Sequence, residues 1–311
     1  MKTTVGVIGL GIMGSAMAQE LIRHGHPVVG YDTDRGCMKR LRKMGGRAVG
    51  SAAEVAALVD IVISSLATSG ALAATVASIA ATGRSAGRKL PVLIETSTLP
   101  LADKTNALSV LRRVGMPVLD CPISGTAQRL KQRAWTVYCS GSRAAYKQVA
   151  PLLAVFTDSV PYVGIFGNGT KMKFAANHLV AIYNVACAES VALARKMGLD
   201  PRDMLALFGP SPVIGSGVMR LRMPFMIARQ YLPATMKVEV WQKDMQAIGD
   251  MAKSVHCPTP LFSACAPIYS AAMAQGLALQ DTASVSEVLF AMAGIAPRKS
   301  ASAKKRAQRR A

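Results

Sequence analysis

Residues 4–32, TVGVIGLGIMGSAMAQELIRHGHPVVGYD, decide the fold class of this 311-residue chain. The β-branched run ahead of Gly9 predicts a buried strand, GLGIMG from Gly9 to Gly14 a glycine turn, and SAMAQELIRHG a helix. PVVGYD then predicts a second strand, which ends in Asp32. Glycines at 9, 11 and 14 meet the dinucleotide-binding fingerprint. The first permits the tight turn, the second lets the backbone approach a pyrophosphate, and the third lets helix pack on strand. The pyrophosphate is expected on the helix N-terminus, where unpaired N–H groups and the helix dipole favour an anion. Gly9, Leu10, Gly11, Ile12, Met13 and Gly14 are therefore the predicted cofactor-binding turn.

Asp32 lies eighteen residues beyond Gly14. A carboxylate at the end of the second strand accepts hydrogen bonds from the adenosine ribose and repels a 2′-phosphate, which favours NAD over NADP. Arg35, three residues later, softens that preference and keeps NADP as an alternative. Asp32 has a second available role, as the cap of a helix from Arg35 to Met44.

Outward from this unit the alternation continues. Strand-like runs cover Asp60 to Leu66, Pro91 to Thr96, Met116 to Cys121 and Ala134 to Ser140, with helical patterns such as Leu101 to Arg113 and Arg143 to Phe156 between most of them. A Rossmann-type, doubly wound α/β sheet follows. Ligands of such sheets lie beyond the carboxyl ends of the strands, so the loops at Leu66 to Thr68, Thr96 to Thr98 and Cys121 to Thr126 are expected to face the cofactor. Their hydroxyls and N–H groups suit a carboxylate or carboxamide; any one of them alone is as well explained as a turn cap.

From Gly167 to Gly198 the pattern changes. GNGTKMKFAANHLVAIYNVACAESVALARKMG reads as one helix, rich in alanine and expected to be largely buried. At 1.5 Å per residue its roughly 28 helical residues span about 40 Å, enough for the spine of a domain. Further helical patterns follow near Pro201 to Leu207, Val218 to Arg229, Met236 to Val255, Pro260 to Gln275 and Ser284 to Ala293. The expected organisation is a nucleotide-binding domain over residues 1–165, an all-α substrate and oligomerisation domain over 166–296 and a basic, disordered tail over 297–311. Lys173 and Asn177 stand four apart, on one face of the long helix. A lysine in the first turns of a helix is ordinarily a surface charge, and Lys243-Asp244 ordinarily a solvated helix face.

Composition bounds the rest. With 51% hydrophobic and 17% charged residues the chain is an ordinary globular protein. No apolar run is long enough to span a bilayer, and the first strand begins too early for a signal peptide. Six cysteines without CxxC spacing are expected to be reduced and buried in a cytoplasmic protein, and no metal site is expected. Seven of the charges behind the net +20 fall in the last fourteen residues, RKSASAKKRAQRRA, a segment with no apolar face and a weak, nonspecific affinity for polyanions. No dedicated nucleic-acid partner is needed to explain it.

Together these residues resemble the β-hydroxyacid dehydrogenase family, related to 6-phosphogluconate dehydrogenase, over roughly residues 3–295. Gly9 to Leu21 look like its GLGxMGxxMAxxL signature. Ser97-Thr98-Leu99-Pro100 approximate STxxP with the proline one place early, and Asp120 to Gly125 look like DxPVSGG with Thr126 in place of the second glycine. Gly167, Gly169, Lys173 and Asn177 match GxGxxxKxxxN, and Lys243-Asp244 the final KD pair. The resemblance implies a hydride transfer between nicotinamide and a small 3-hydroxy acid of the 3-hydroxyisobutyrate or tartronate semialdehyde kind. It implies Lys173 as the catalytic acid and base, Asn177 beside it on the substrate, and Ser124 with Gly125 at the substrate carboxylate; Thr126, next in the chain, is a further substrate-binding candidate. It places Thr98 at the nicotinamide end, beside the cofactor-facing Leu66 of the strand-end loop, with Lys243 closing the site, and a homodimer or homotetramer built through the helical domain.

Elementary chemistry agrees, because oxidising an alcohol requires a base within hydrogen-bond reach of the hydroxyl that loses its proton. Beside Phe174, Lys173 is expected to have a lowered pKa, since desolvation disfavours its charged form. Imine reductases resemble this fold but generally lack the lysine, and a decarboxylating sugar-acid dehydrogenase would bring a longer C-terminal domain. A noncatalytic nucleotide-sensing or chromatin-associated protein, its basic tail gripping nucleic acid, would tend to lose the lysine. Residues 127–133, AQRLKQR, depart from the family: Arg129, Lys131 and Arg133 either narrow the loop around an anionic substrate or face solvent.

Overall fold

The structure, a computed structural model, describes residues 2–81 and 90–296, with the side chains of Gln128, Arg129 and Lys131 excepted. The basic tail lies outside the described residues. Packing divides the chain into two compact units, Met1–Ala176 and Asn177–Ala311.

The first unit opens with β1 (Val5–Ile8), α1 (Ile12–Arg23), β2 (Val28–Tyr31), α2 (Arg35–Lys43), β3 (Arg47–Ala48), α3 (Ala52–Leu58), β4 (Ile61–Ser64), α4 (Ser69–Ala81) and β5 (Val92–Glu95). It continues with α5 (Leu101–Arg113), β6 (Val118–Asp120), β7 (Ile123–Ser124), β8 (Thr136–Val137), β9 (Ser140–Gly141) and α6 (Arg143–Leu153). The main sheet has the order β3-β2-β1-β4-β5-β6-β9, parallel throughout except where β9 pairs antiparallel to β6. The strands read as continuous apolar runs because both faces are covered. Val5, Val7, Ile61, Ile63, Val92 and Ile94 point into one core, while Ile8, Val62, Leu93 and Val118 point into the other. Each such side chain, fully buried, contributes about 1.5–3 kcal/mol. The order reverses between β1 and β4, which opens a crevice at their carboxyl ends.

The segment Ala134 to Ser140 is not the single sheet strand its pattern predicts. Thr136–Val137 pairs with Ile123–Ser124 in a separate two-stranded sheet, and only Ser140–Gly141 reaches the main sheet. The link from β6 to β9 carries a 3₁₀ turn, Ala127–Gln132, rather than the crossover helix a parallel return requires.

Helix α7 (Asn168–Lys196) runs through the division between the units, so its first turns belong to the N-terminal one. Gly169 explains the attachment. A Cβ there would stand 2.5 Å from the Tyr138 carbonyl oxygen and 2.6 Å from that of Asp120, so only glycine lets the helix start against these strands. The helix is less buried than its sequence suggests, with Met172, Leu179, Tyr183 and Leu193 exposed.

The second unit adds α8 (Pro201–Phe208), α9 (Gly217–Ala228), α10 (Val238–Ser254), α11 (Pro260–Ala274) and α12 (Val285–Met292). Polar latches hold it from inside. The buried Asn184 amide donates to the Tyr269 hydroxyl at 3.0 Å and to the Thr282 carbonyl at 2.9 Å. Arg222 donates to Asp281 at 2.5 Å, whose other oxygen accepts from the Thr235 N–H and hydroxyl, each at 2.8 Å. Of the six cysteines, all free, five are buried and Cys257 is exposed. No helix among the described residues is long and apolar enough to cross a membrane.

Candidate active site

The glycine turn forms the corner between β1 and α1. Gly9 has φ +85°, and a Cβ on it would stand 2.2 Å from the Ser65 carbonyl oxygen; one on Gly14 would stand 1.8 Å from that of Gly9. Gly11 differs, because a Cβ there would meet nothing within 4 Å. Gly11 is also the N-cap of α1. It offers no side-chain cap and the first turn carries no acidic residue. The first N–H groups of the helix are thus left to a bound anion beside open space, an arrangement that fits a dinucleotide pyrophosphate.

The six turn residues divide by role. Gly9 and Gly11 line a cavity of about 310 Å³ together with Asp32, Ser65, Leu66 and Thr75. Leu10 and Met13 pack in the core, Gly14 is buried at the helix–strand contact, and Ile12 is exposed. Asp32 accepts from the Leu10 N–H at 2.6 Å and, through its other oxygen, from the Asp34 N–H at 2.8 Å. A carboxylate has about four acceptor positions, so capacity for ribose hydroxyls remains. Asp32 does not cap α2. Asp34 does so, accepting from the Gly36 N–H at 2.6 Å, and this bond is the largest cause holding its carboxyl below the usual range.

The loops at the strand ends are less uniform than the pattern suggests. Leu66 and Ala67 line the cavity. Thr96 and Ser97, expected to face the cofactor, turn inward instead: Thr96 Oγ1 donates to the Ser64 carbonyl at 2.7 Å, and Ser97 Oγ accepts from the Leu66 N–H at 2.8 Å. Both are buried, and both tie neighbouring strand ends together. Thr98 is half-buried, as is Ser124 at the end of β7. Gly125 has φ +149° and lies so close to Trp135 that a Cβ would meet its ring at 2.3 Å. Trp135 Nε1 donates to the Thr126 carbonyl at 2.7 Å, while Thr126 Oγ1 is buried without a hydrogen-bond partner among the described residues. Arg133 is exposed but tied to the protein. Its guanidinium donates to the carbonyls of Ala154 and Val155, at the end of α6, and pairs with Asp158 at 2.6 Å.

At the start of α7, the Ser140 hydroxyl accepts from the Gly169 N–H at 2.9 Å and the Asp120 carboxylate from the Thr170 N–H at 2.7 Å. These tertiary partners satisfy helix donors that no local cap reaches. Lys173, one turn on, is buried, and so is Asn177 on the same face of the helix. Within the second unit the Asn177 amide donates to Asp244 Oδ2 at 3.0 Å, and Lys243 Nζ lies 3.8 Å from Asp244 Oδ1. Asp244 is buried while Lys243 is half-exposed, so the acidic member of the KD pair orients Asn177.

Sequence reasoning missed that role of Asp244, and it missed Glu95, Lys104 and Thr170 altogether. Lys104 Nζ, fully buried, pairs with Glu95 at 2.7 Å and Asp120 at 2.8 Å. Burial disfavours its charge, but the two carboxylates outweigh that and hold its pKa above the ordinary value.

Comparison with known proteins identifies the family. Residues 4–164 match the family described as the NAD binding domain of 6-phosphogluconate dehydrogenase, and residues 167–289 the family described as the NAD-binding domain of NADP-dependent 3-hydroxyisobutyrate dehydrogenase. The chain belongs to the β-hydroxyacid dehydrogenase family. It is an NAD(P)-dependent oxidoreductase of the hydroxyacid dehydrogenase class. Among its relatives is mitochondrial 3-hydroxyisobutyrate dehydrogenase of Bos taurus, 30% identical over 303 residues, covering 93% of this chain and 87% of the relative. Another is chloroplastic glyoxylate/succinic semialdehyde reductase 2 of Arabidopsis thaliana, 29% identical over 290 residues, covering 93% and 80%. Among solved structures, Mycobacterium tuberculosis 3-hydroxyisobutyrate dehydrogenase with L-serine superposes with a TM-score of 0.82 at 25% identity, over 93% of this chain and 99% of the other.

Proposed function

We propose that this dehydrogenase interconverts a small 3-hydroxy acid and its semialdehyde, with Lys173 taking the hydroxyl proton in oxidation and returning it in reduction. The observation that carries the reading is a buried lysine one turn inside α7, on the face that also bears the buried Asn177. When bound, the nicotinamide cofactor accepts or supplies the hydride. The chain's own residues bind, orient and move a proton. Gly9 to Gly14 hold the pyrophosphate on the α1 terminus, and Asp32 accepts the ribose hydroxyls, which favours NAD while leaving NADP available. Leu66 and Thr98 bound the nicotinamide end. Ser124, Gly125 and the unpaired hydroxyl of Thr126 receive the substrate carboxylate, Asn177 holds the reacting oxygen, and Lys243 adds positive charge for an anionic substrate. The names of the Bos taurus and Arabidopsis relatives support a short hydroxy acid or semialdehyde. A homodimer or homotetramer through the helical unit and a cytoplasmic location belong to the same proposal.

A substrate panel tests it, run with NAD and NADP in parallel over 3-hydroxyisobutyrate, glycerate, threonate, serine, 6-phosphogluconate and a hydroxymethyl dicarboxylate. Turnover of at least one nonphosphorylated 3-hydroxy acid is expected, and turnover of none overturns the reading. Lys173→Ala is expected to lower kcat by about 10²–10⁴-fold while leaving the Kd for NAD within about twofold. Unchanged turnover would remove Lys173 from the chemistry.

A further inference from the structure

A continuous line of polar contacts runs inside the N-terminal unit from the cavity wall to the first turn of α7. The Leu66 N–H donates to Ser97 Oγ at 2.8 Å, and the Ser97 N–H donates to Glu95 Oε1 at 3.0 Å. Lys104 Nζ then bridges Glu95 Oε2 at 2.7 Å and Asp120 Oδ1 at 2.8 Å. Asp120 ends the line at Thr170, accepting the hydroxyl on Oδ1 and the N–H on Oδ2, both at 2.7 Å. Glu95, Lys104 and Asp120 are all at most 1% exposed.

Three charges out of water are costly, and well-packed apolar side chains of the same volume would serve stability as well or better. What a charged network adds over apolar packing is direction. Its bonds fix the ends of β5 and β6, the face of α5 and the rotation of α7 in one register. Thr170 and Lys173 are three residues apart, so they lie on neighbouring positions of one helix face. Any rotation of the first turn about its axis carries both.

We infer that the Glu95–Lys104–Asp120 network is a positioning device for the reaction, with Thr170 as the group through which it sets where Lys173 stands against the cavity walled by Leu66. The inference rests on Lys173 being the proton-transfer group. A displacement of a catalytic group by about 1 Å costs about 10²-fold in rate, so a loosened first turn is read in kcat rather than in binding.

The test compares Thr170→Val, which removes the hydroxyl donor but keeps shape, backbone bond and both ion pairs, with Thr170→Ser, which restores the donor. Lys104→Met is made alongside, and if it does not fold the threonine pair carries the test. Thr170→Val is expected to lower kcat about 10- to 100-fold, with KM for substrate and cofactor within about twofold, and Thr170→Ser to recover kcat to within about threefold. A folded Thr170→Val enzyme with wild-type kcat, a loss confined to KM, or a loss that serine does not restore would overturn it. Lys173→Ala separates the two readings. If it is inactive while Thr170→Val is fully active, the positioning role fails and the base stands. If Lys173→Ala keeps its turnover, the base fails and the positioning role falls with it.

Discussion

Gly11 and Gly14 stand three residues apart in one turn, yet they are glycine for different reasons. A methyl on Gly14 would overlap the Gly9 carbonyl oxygen at 1.8 Å, so this position is set by the fold itself. A methyl on Gly11 would meet nothing within 4 Å, and its φ of −66° suits any residue. Only something that occupies the open space can require glycine there. Gly11→Ala is therefore expected to keep the melting temperature within about 2 °C and to weaken NAD(P) by at least about tenfold, or about 1.4 kcal/mol. Differential scanning calorimetry and a cofactor titration measure the two quantities, and an unchanged Kd would place the pyrophosphate elsewhere. The spacing of the glycines was legible because a turn needs residues at fixed separations. Lys104 was not. In a helix read from sequence a lysine counts as solvent-facing, and only the pairing of β5 with β6 brings Glu95 and Asp120 to its ammonium.

Along α7, alanine content and length announced the element, but not which sides would be covered. The face bearing Ala181, Asn184, Ala188 and Val191 is buried, whereas Met172, Leu179, Tyr183 and Leu193 are exposed. Asn184 is the polar exception in the covered face, and both of its amide hydrogens are used. Asn184→Leu would leave the Thr282 carbonyl and the Tyr269 hydroxyl short of a partner, a cost of about 1–3 kcal/mol for a buried unsatisfied group. Urea denaturation is expected to show that loss, and a loss below about 0.5 kcal/mol would mean that the latch is replaceable. The strand reading of Ala134 to Ser140 failed at this scale too. Its alternation is real, but which strand it pairs with depends on where the 3₁₀ turn returns the chain, and no local pattern encodes that.

For the whole molecule, the exposed apolar side chains of the helical unit include Met197, Leu199, Leu207, Val213 and Ile214. Isolated exposed apolar residues are ordinary, and the homodimer or homotetramer proposed above is expected to cover part of this set. Light scattering is expected to give the mass of a dimer or tetramer at micromolar concentration, and Leu207→Asp with Val213→Asp to shift it toward the monomer. A monomeric wild type would overturn that expectation. The net charge of +20 falls to +13 when the seven positive charges of the last fourteen residues are subtracted, so over a third of it resides outside the described structure. By itself the sequence determined the class of the N-terminal unit, the place of the long helix and the motif residues, because each depends on periodicity or spacing within a short segment. Only the tertiary structure decided that Asp34 rather than Asp32 caps α2, that Thr96 and Ser97 turn inward, that Asp244 holds Asn177, and that Lys104 is buried between two carboxylates. Each of these depends on which groups meet through space, where the free energy of a hydrogen bond or ion pair is set by partners far apart in the chain.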